Sequence, residues 1–322
     1  MPTTVLAVSL GTALERYQWV GALHRGGIHR ATRTVVAPGG KGIHVALAAH
    51  RLGAPVWAAG VLGGDSGRYV ARLVEQAGIP GDWVPGAAET RTCVCIVDAA
   101  SGTMTEVDEP TALTPAEWDA LVDVVDRRAS TDHVVTISGS LPAGVAPERL
   151  TEMVAAVQGA GAAALVDTSG PALRASLAAH PVWVKVNDIE AREAFGMTGR
   201  DQTPAVVPAG NRAALVEEAE SLAESMCAAG AQNVIVTLGA HGWLARLSSG
   251  EVVARAVQPV PKGLAVGSGD CFLAGFATGL VQGGDVASAL LLATAAARVN
   301  ATGALVAEFT RSMVQAQLSA GV

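Results

Sequence analysis

Short runs of β-branched and other apolar residues alternate along the chain with longer Ala/Leu-rich stretches whose apolar positions recur at helical spacing. VLAVSL (5–10), VWAAGVLG (56–63), HVVTIS (133–138), AALVDTS (163–169), WVKVN (183–187) and VIVTLG (234–239) predict strands. Their largely unbroken apolar character is that of strands covered on both faces. IHVALAAHRLG (43–53) and SGRYVARLVEQAG (66–78) predict helices, each closed by a glycine that suits a left-handed helix stop. The alternation predicts an α/β fold, a doubly wound and mostly parallel sheet with helices on both faces. Such sheets take ligands beyond the carboxyl ends of their strands, so the chemistry is expected just after the apolar runs.

Two stretches break the alternation. Residues 15–36 and 91–108 (RTCVCIVDAASGTMTEVD) have mixed polarity, strand and hairpin character and no helix between. They predict a small β lid or association surface, formed by about 11–37 and 88–110. No internal repeat or low-complexity linker is visible, so residues 1–322 read as a single domain, with PAVVPAGN (204–211) as a surface loop.

Composition narrows the function classes. Half of the 322 residues are hydrophobic and only 16% are charged, which suits a large core and argues against disorder. The net charge of −7 argues against a general nucleic-acid or membrane-surface binder, because affinity for such phosphate surfaces rests on many lysines and arginines. A single small anion held by a few local cations remains compatible with it. Cys93 and Cys95 share one face of a β-like run and make a poor metal pair without further ligands. With Cys227 and Cys271 they read as reduced packing residues. The N-terminus lacks a basic region and a cleavage signal, and no apolar run has the length of a bilayer span, so a soluble, cytoplasmic protein is expected.

Two glycine-rich turns open helices. In AVGSGDCFLAGF (265–276), Gly267, Ser268 and Gly269 precede a helix expected from about Asp270 to Leu280. The first amides of a helix lack internal partners, and glycines allow close approach, so this turn can hold a phosphate or a transient anion. An aspartate beside such a site repels a resting phosphate. As a general base, however, Asp270 accepts a proton from a hydroxyl while the amides stabilise a transferring phosphoryl group. The same residue also reads as a first-turn helix acid worth under about 1 kcal/mol. In APGGKGIHVALAAH (37–50), paired glycines and Lys41 suit a polar ligand plus one cationic contact, or a tight turn with a solvated lysine.

Gly39-Gly40-Lys41-Gly42 opening a helix, Ser138-Gly139-Ser140-Leu141-Pro142 after a strand, Lys185-x-Asn187-x-x-Glu190 and Gly267-Ser268-Gly269-Asp270 follow one another in that order. Together they resemble the ribokinase-like (phosphofructokinase B) carbohydrate kinases, over essentially the whole chain. Thr90-Arg91 and Glu106-Val107-Asp108-Glu109-Pro110 bring the likeness nearest to the 1-phosphofructokinase and tagatose-6-phosphate kinase branch. The resemblance implies a doubly wound α/β fold with a β lid, ATP and Mg²⁺ as cosubstrates with K⁺ as a further candidate, and a homodimer through the lids. It assigns Asp270 as the base and the amides of Gly267, Ser268 and Gly269 as the anion hole. Arg91 and Ser140 match positions that hold the phosphate already on the sugar, assisted by Lys41, and an arginine fork suits that geometry. Glu15, Gly39, Gly40 and His44 fall on the acceptor side. Asn187 and Glu190 organise Mg²⁺ through water, with Lys185 by the nucleotide phosphates. Thr237, Gly239 and Gly242 resemble the nucleotide-side loop, and Asn300 a residue near the adenine.

The sequence departs from that pattern on the acceptor side. The usual Asn-Pro-x-x-Asp after the first strand is here Gly11-Thr12-Ala13-Leu14-Glu15, and the helix after the glycine turn carries His44 in place of Asn. His29 also stands where the branch often has Asn. The expected activity is ATP-dependent phosphorylation of a sugar-phosphate hydroxyl to give a bisphosphate and ADP. The preferred acceptor is expected to differ from ordinary fructose 1- or 6-phosphate, a non-standard ketohexose or a heptose phosphate being the candidates. The rivals are a kinase of an unphosphorylated sugar or nucleoside and a non-catalytic sugar-phosphate sensor.

Overall fold

The first strand shows why its sequence is apolar throughout. In the computed structural model, Val5 and Ala7 pack into one core and Leu6 and Val8 into another, all at most 1% exposed. Successive strand residues point to opposite faces, so a strand buried on both sides has no polar position. The structure describes residues 1–197, 212–258, 260 and 265–321; the loop expected at 204–211 lies outside them.

In chain order the elements are β1 (Thr4–Ser9), β2 (Ala13–Val20), β3 (Arg33–Gly39), α1 (Lys41–Arg51), β4 (Val56–Gly63), α2 (Gly64–Gln76), β5 (Gly81–Gly86), β6 (Thr92–Asp98) and β7 (Thr103–Asp108). There follow α3 (Pro115–Arg128), β8 (His133–Ser138), α4 (Glu148–Gly159), β9 (Ala163–Asp167), α5 (Gly170–Ser176), β10 (Trp183–Asn187) and α6 (Asp188–Ala194). The last are α7 (Arg212–Ala228), β11 (Asn233–Thr237), β12 (Trp243–Arg246), β13 (Val252–Arg255), α8 (Ser268–Val281), α9 (Val286–Ala301) and α10 (Arg311–Ser319).

One nine-stranded sheet has the order β13-β12-β11-β10-β9-β8-β1-β4-β5. From β5 to β11 neighbours run parallel, and β12 and β13 close one edge antiparallel. Residues of α1, α8 and α9 fill the core on one face, and those of α3 and α4 on the other. The chain leaves β1 toward β4 on one side and returns through β8 on the other, which opens a crevice at the carboxyl ends. The expected doubly wound, mostly parallel sheet is therefore present.

The two stretches that broke the alternation form a separate four-stranded sheet, β3-β2-β6-β7. β2 pairs antiparallel with β3 and parallel with β6, so the two segments are stitched together across the 52 residues between β3 and β6. Leu14 and Cys93 alternate inward while most of β7 is exposed. Three elements escaped the sequence pattern: β5 carries GDWVPG, and β12 and β13 are short edge strands of mixed polarity.

Candidate active site

A cleft of about 880 Å³ lies at the carboxyl ends of the main sheet, roofed in part by the second sheet. Gly139 and Ser140 after β8, Lys185 and Asn187 of β10, Thr237, Gly239 and Gly242 after β11, and the start of α8 all line it. Residues scattered over the sequence thus meet because parallel strands deliver their following loops to one edge.

Gly267 is the N-cap of α8, at φ +70°, and a Cβ there would come within 2.2 Å of the Val306 side chain. Only glycine fits that left-handed position without displacement. The helix begins at Ser268, two residues earlier than the sequence suggests. This corrects the expected set of anion-hole amides: the Ser268 amide donates back to Ala265 O at 3.1 Å, closing the turn. The amides of Gly267, Gly269 and Asp270 have no backbone acceptor among the described residues. Asp270 itself, 6% exposed, stands in the first turn beside them.

Behind this mouth lies a buried network of alternating charge. Lys185 Nζ donates to Asp167 Oδ2 at 2.8 Å, and Lys41 Nζ bridges Glu190 Oε1 at 2.6 Å and Asp167 Oδ1 at 3.4 Å. Asp167 is fully buried; burial alone would raise its pKa, but Lys185 and Lys41 hold it below the usual carboxylate range. Burial likewise opposes charging Lys41, and the carboxylates of Asp167, Glu190 and Asp270 outweigh it. The Lys185 ammonium stands 2.9 Å from where a side chain on Gly269 would begin, so a cation faces the mouth of α8. Asn187 and Glu190 cap α6 reciprocally: Glu190 N–H donates to Asn187 Oδ1 at 2.7 Å and Asn187 N–H to Glu190 Oε2 at 3.0 Å. The i, i+3 pair therefore shares one face at the cleft wall.

Glu15 of β2 and His44 of α1 do not stand free for a sugar. His44 Nδ1 is 2.8 Å from Asp270 Oδ2, and Nε2 is 2.9 Å from Glu15 Oε1, the latter at an angle short of a well-directed hydrogen bond. Tyr17 donates its hydroxyl to Glu15 Oε2 at 2.7 Å, and the Gly40 amide donates to Oε1 at 3.3 Å. Burial opposes an imidazolium here, but Glu15 and Asp270 raise the His44 pKa to about 10. Burial opposes the Glu15 anion too, and His44 with the Tyr17 and Gly40 donors lowers its pKa. Both residues border the cleft, with their polar atoms turned toward each other and toward Asp270.

Arg91, on the opposite wall, donates to Gly11 O at 3.4 Å and Glu109 O at 3.3 Å, and its Nη1 lies 3.8 Å from Asp108. Its buried Nε has no partner among the described residues. β7 sets Asp108 opposite Cys93 and Glu106 opposite Cys95. Cys93, Glu106 and Asp108 bring ligand atoms within 4.8 Å of one another, and Cys95 is not part of that group. Burial and Asp108 push the Cys93 thiol far up, which keeps it protonated and a weak ligand. All four cysteines are free; Cys93, Cys95 and Cys271 are buried and Cys227 is half-buried.

Two expected residues are not on the cleft lining. Gly39 is buried against Glu15, whose carboxyl lies 2.2 Å from any added Cβ. Asn300, 3% exposed, donates to Val266 O at 2.9 Å and Ser268 Oγ at 3.1 Å and accepts from Ala307 N–H at 2.8 Å. It braces the turn that carries the anion hole. Asp167 and Tyr17 are participants the sequence did not single out. Asp167 ends an apolar strand, AALVD, where a lone acid signals a buried partner; Tyr17 in ALERYQWV gives no comparable signal.

Comparison with known proteins places the chain. The profile of the pfkB family carbohydrate kinases matches residues 6–310, and the chain belongs to that family. It is an ATP-dependent carbohydrate kinase. Among its relatives is the 1-phosphofructokinase of Rhodobacter capsulatus, 32% identical over 300 residues, 92% of this chain and 89% of the relative. The 1-phosphofructokinase of Xanthomonas campestris is 33% identical over 288 residues, 88% and 86% of the two chains. The crystal structure of phosphofructokinase-2 from Escherichia coli in complex with potassium superposes with a TM-score of 0.87 at 26% identity, covering 99% of each chain. Among the described residues no helix is long and apolar enough to cross a membrane.

Proposed function

We propose that this chain transfers the γ-phosphoryl group of ATP to a hydroxyl of a sugar phosphate, giving a sugar bisphosphate and ADP, with Asp270 as general base. The observation that carries the reading is the pairing of the Asp270 carboxylate with unpartnered amides at one helix mouth, with Lys185 facing the same point. Asp270 Oδ2 is engaged by His44, and Oδ1 has no partner among the described residues. Oδ1 takes the acceptor proton as the hydroxyl oxygen bonds to phosphorus and the bond to the ADP oxygen breaks. The amides of Gly267, Gly269 and Asp270, with Lys185, stabilise the charge on the moving phosphoryl group.

Support for the nucleotide comes from the far side of the cleft. Beyond the Gly239–Gly242 turn its lining becomes apolar, with Trp243, Val257, Phe272, Ala297 and Ala301, a surface suited to a purine ring. Glu190 fits a magnesium ion held through water: it is a hard donor on the cleft wall, fixed by the capping box. Its other partner, Lys41, has a side chain 32% exposed and free to turn to a phosphate instead. Bound there, the ion neutralises phosphate charge. The relative in complex with potassium supports testing K⁺ as an activator.

On the acceptor side, Arg91 and Ser140 reach the cleft together and suit a phosphate on the sugar. The relatives' names support a phosphorylated acceptor. With both His44 nitrogens turned to carboxylates, the sugar meets a different set of donors from an asparagine amide, which supports an acceptor other than fructose 1- or 6-phosphate. The exposed β7 edge of the second sheet, with Val107 60% exposed, supports assembly as a homodimer through the lids. The test is ADP release with ATP and Mg²⁺ across hexose, pentose and heptose phosphates, each beside its unphosphorylated sugar. Phosphorylated acceptors should win by at least tenfold in kcat/KM. Preference for a free sugar or nucleoside would overturn the acceptor class, and no turnover with any of them would favour the sensor.

A further inference from the structure

The base is not alone in its pocket. Asp270 belongs to α8, His44 to α1 and Glu15 to β2 of the lid sheet, so three separate elements place one carboxylate–imidazole–carboxylate chain. All three side chains are at most 8% exposed, and the two N–O contacts are 2.8 and 2.9 Å. Glu15 is fixed in turn by the Tyr17 hydroxyl and the Gly40 amide. Glu15 and His44 are thus one device, and each explains the other. Glu15 reaches the ring across the space that Gly39 leaves open, and the ring fills the gap between that acid and the base.

We propose that His44, oriented by Glu15, is a positioning residue for Asp270: its Nδ1–H holds Oδ2 and leaves Oδ1 aimed at the acceptor hydroxyl. The inference rests on the reading of Asp270 as the base. The imidazole is charged in this setting, and Glu15 compensates it, so the pair presents Asp270 with an oriented donor at little net charge. The proton taken from the sugar goes to Asp270 Oδ1, and His44 keeps both of its own. Because Glu15 sits on the lid sheet, the seating of the lid and the aim of the base are mechanically joined.

Other titratable groups surround the ring. Tyr17 faces Glu15 from β2, while Cys95 and Glu106 come from β6 and β7. Cys271 adjoins Asp270 on α8, and Lys41 lies at the start of α1. Arg51 and Glu308 border a small cavity of about 190 Å³ behind the ring. Of these, Glu106 alone has a value near neutrality, about 7, raised by burial and then by Asp108 and Glu15. It is therefore the one neighbour able to imitate a His44 effect in a pH profile, and a Glu106→Gln control separates the two.

The test uses His44→Gln, which keeps one amide donor without the charge, Glu15→Gln, and the double variant, which removes the acid that compensates the ring together with the ring itself. In His44→Gln, kcat should fall on the order of tenfold to a hundredfold with both KM values within about twofold. His44→Ala, lacking any donor, should be slower than His44→Gln. In the unaltered protein, the His44 ring read by ¹⁵N NMR should be doubly protonated at pH 7.5, and Glu15→Gln should lower its titration midpoint. A folded His44→Gln variant with kcat unchanged overturns the inference. So does a rise in acceptor KM alone, which would make His44 a sugar contact, or a neutral ring at pH 7.5 in the unaltered protein. If Asp270→Asn keeps its turnover, the base assignment itself fails. If that variant is inactive while His44→Gln is unaffected, only the present inference fails.

Discussion

Replacing Asn300 by alanine separates two roles that the sequence left entangled. The side chain donates to Val266 O and Ser268 Oγ and accepts from the Ala307 amide, at 2.9, 3.1 and 2.8 Å. Each bond contributes about 0.5–1.5 kcal/mol net, and an orphaned buried amide costs about 1–3 kcal/mol. Ala307 is fully buried, so its amide has no water to turn to. The sum of those contributions is a loss of about 5 kcal/mol, read as a lower urea midpoint with unchanged m-value. Because Val266 and Ser268 flank the N-cap glycine, the anion hole loosens as well, and kcat should fall on the order of tenfold. The KM for ATP should stay within about twofold. If stability instead held within about 0.5 kcal/mol while the ATP KM rose tenfold, Asn300 would be a nucleotide contact, as the family resemblance implies.

Three further outcomes follow from the charges. Lys185→Met removes the nearer partner of fully buried Asp167 and should cost about 3–5 kcal/mol near pH 7. Asp167 has a lowered pKa when folded, so its contribution is present above about pH 4 and lost as pH falls through the lowered value. The variant's deficit should therefore shrink in acid, and a deficit independent of pH contradicts the pairing. His44 has the opposite sign: raised to about 10, it stabilises fully below about pH 6.5 and loses that contribution as pH rises to 10. Urea midpoints of the unaltered protein and of His44→Gln should converge over that window, and parallel curves would contradict it. Arg91→Ala should raise the KM for the phosphosugar by tenfold or more and leave that for ATP unchanged, because a charged hydrogen bond is worth about 1.5–3 kcal/mol. An unchanged acceptor KM would remove the main support for a phosphorylated substrate.

The main sheet was readable because burial on both faces leaves an unbroken apolar run, as in VLAVSL and HVVTIS. β5, with Pro85 and two glycines, has no such run, and its strand is dictated by pairing with β4. The glycine turns announced two helix mouths, since only glycine suits the backbone at Gly40 and Gly267. What stayed hidden is whatever depends on residues far apart in sequence meeting side by side. Glu15, His44 and Asp270 each look like an isolated change or cap until β2, α1 and α8 are packed together. The bonds that Asn300 makes to Val266, Ser268 and Ala307 were hidden for the same reason, since a buried amide on a late helix has no sequence signal for its partner. Ser268 likewise lost its expected free amide to a local turn that spacing does not reveal.

Single-turnover phosphoryl transfer by Asp270→Asn tests most directly whether Asp270 takes the proton from the acceptor. The amide keeps the shape and can still meet His44, while it offers no proton acceptor of useful basicity. The transfer rate should fall on the order of 10²–10⁴-fold, with the dissociation constants for ATP and for the sugar phosphate nearly unchanged. A variant that transfers the phosphoryl group at more than a tenth of the normal rate would show that the proton leaves by another route.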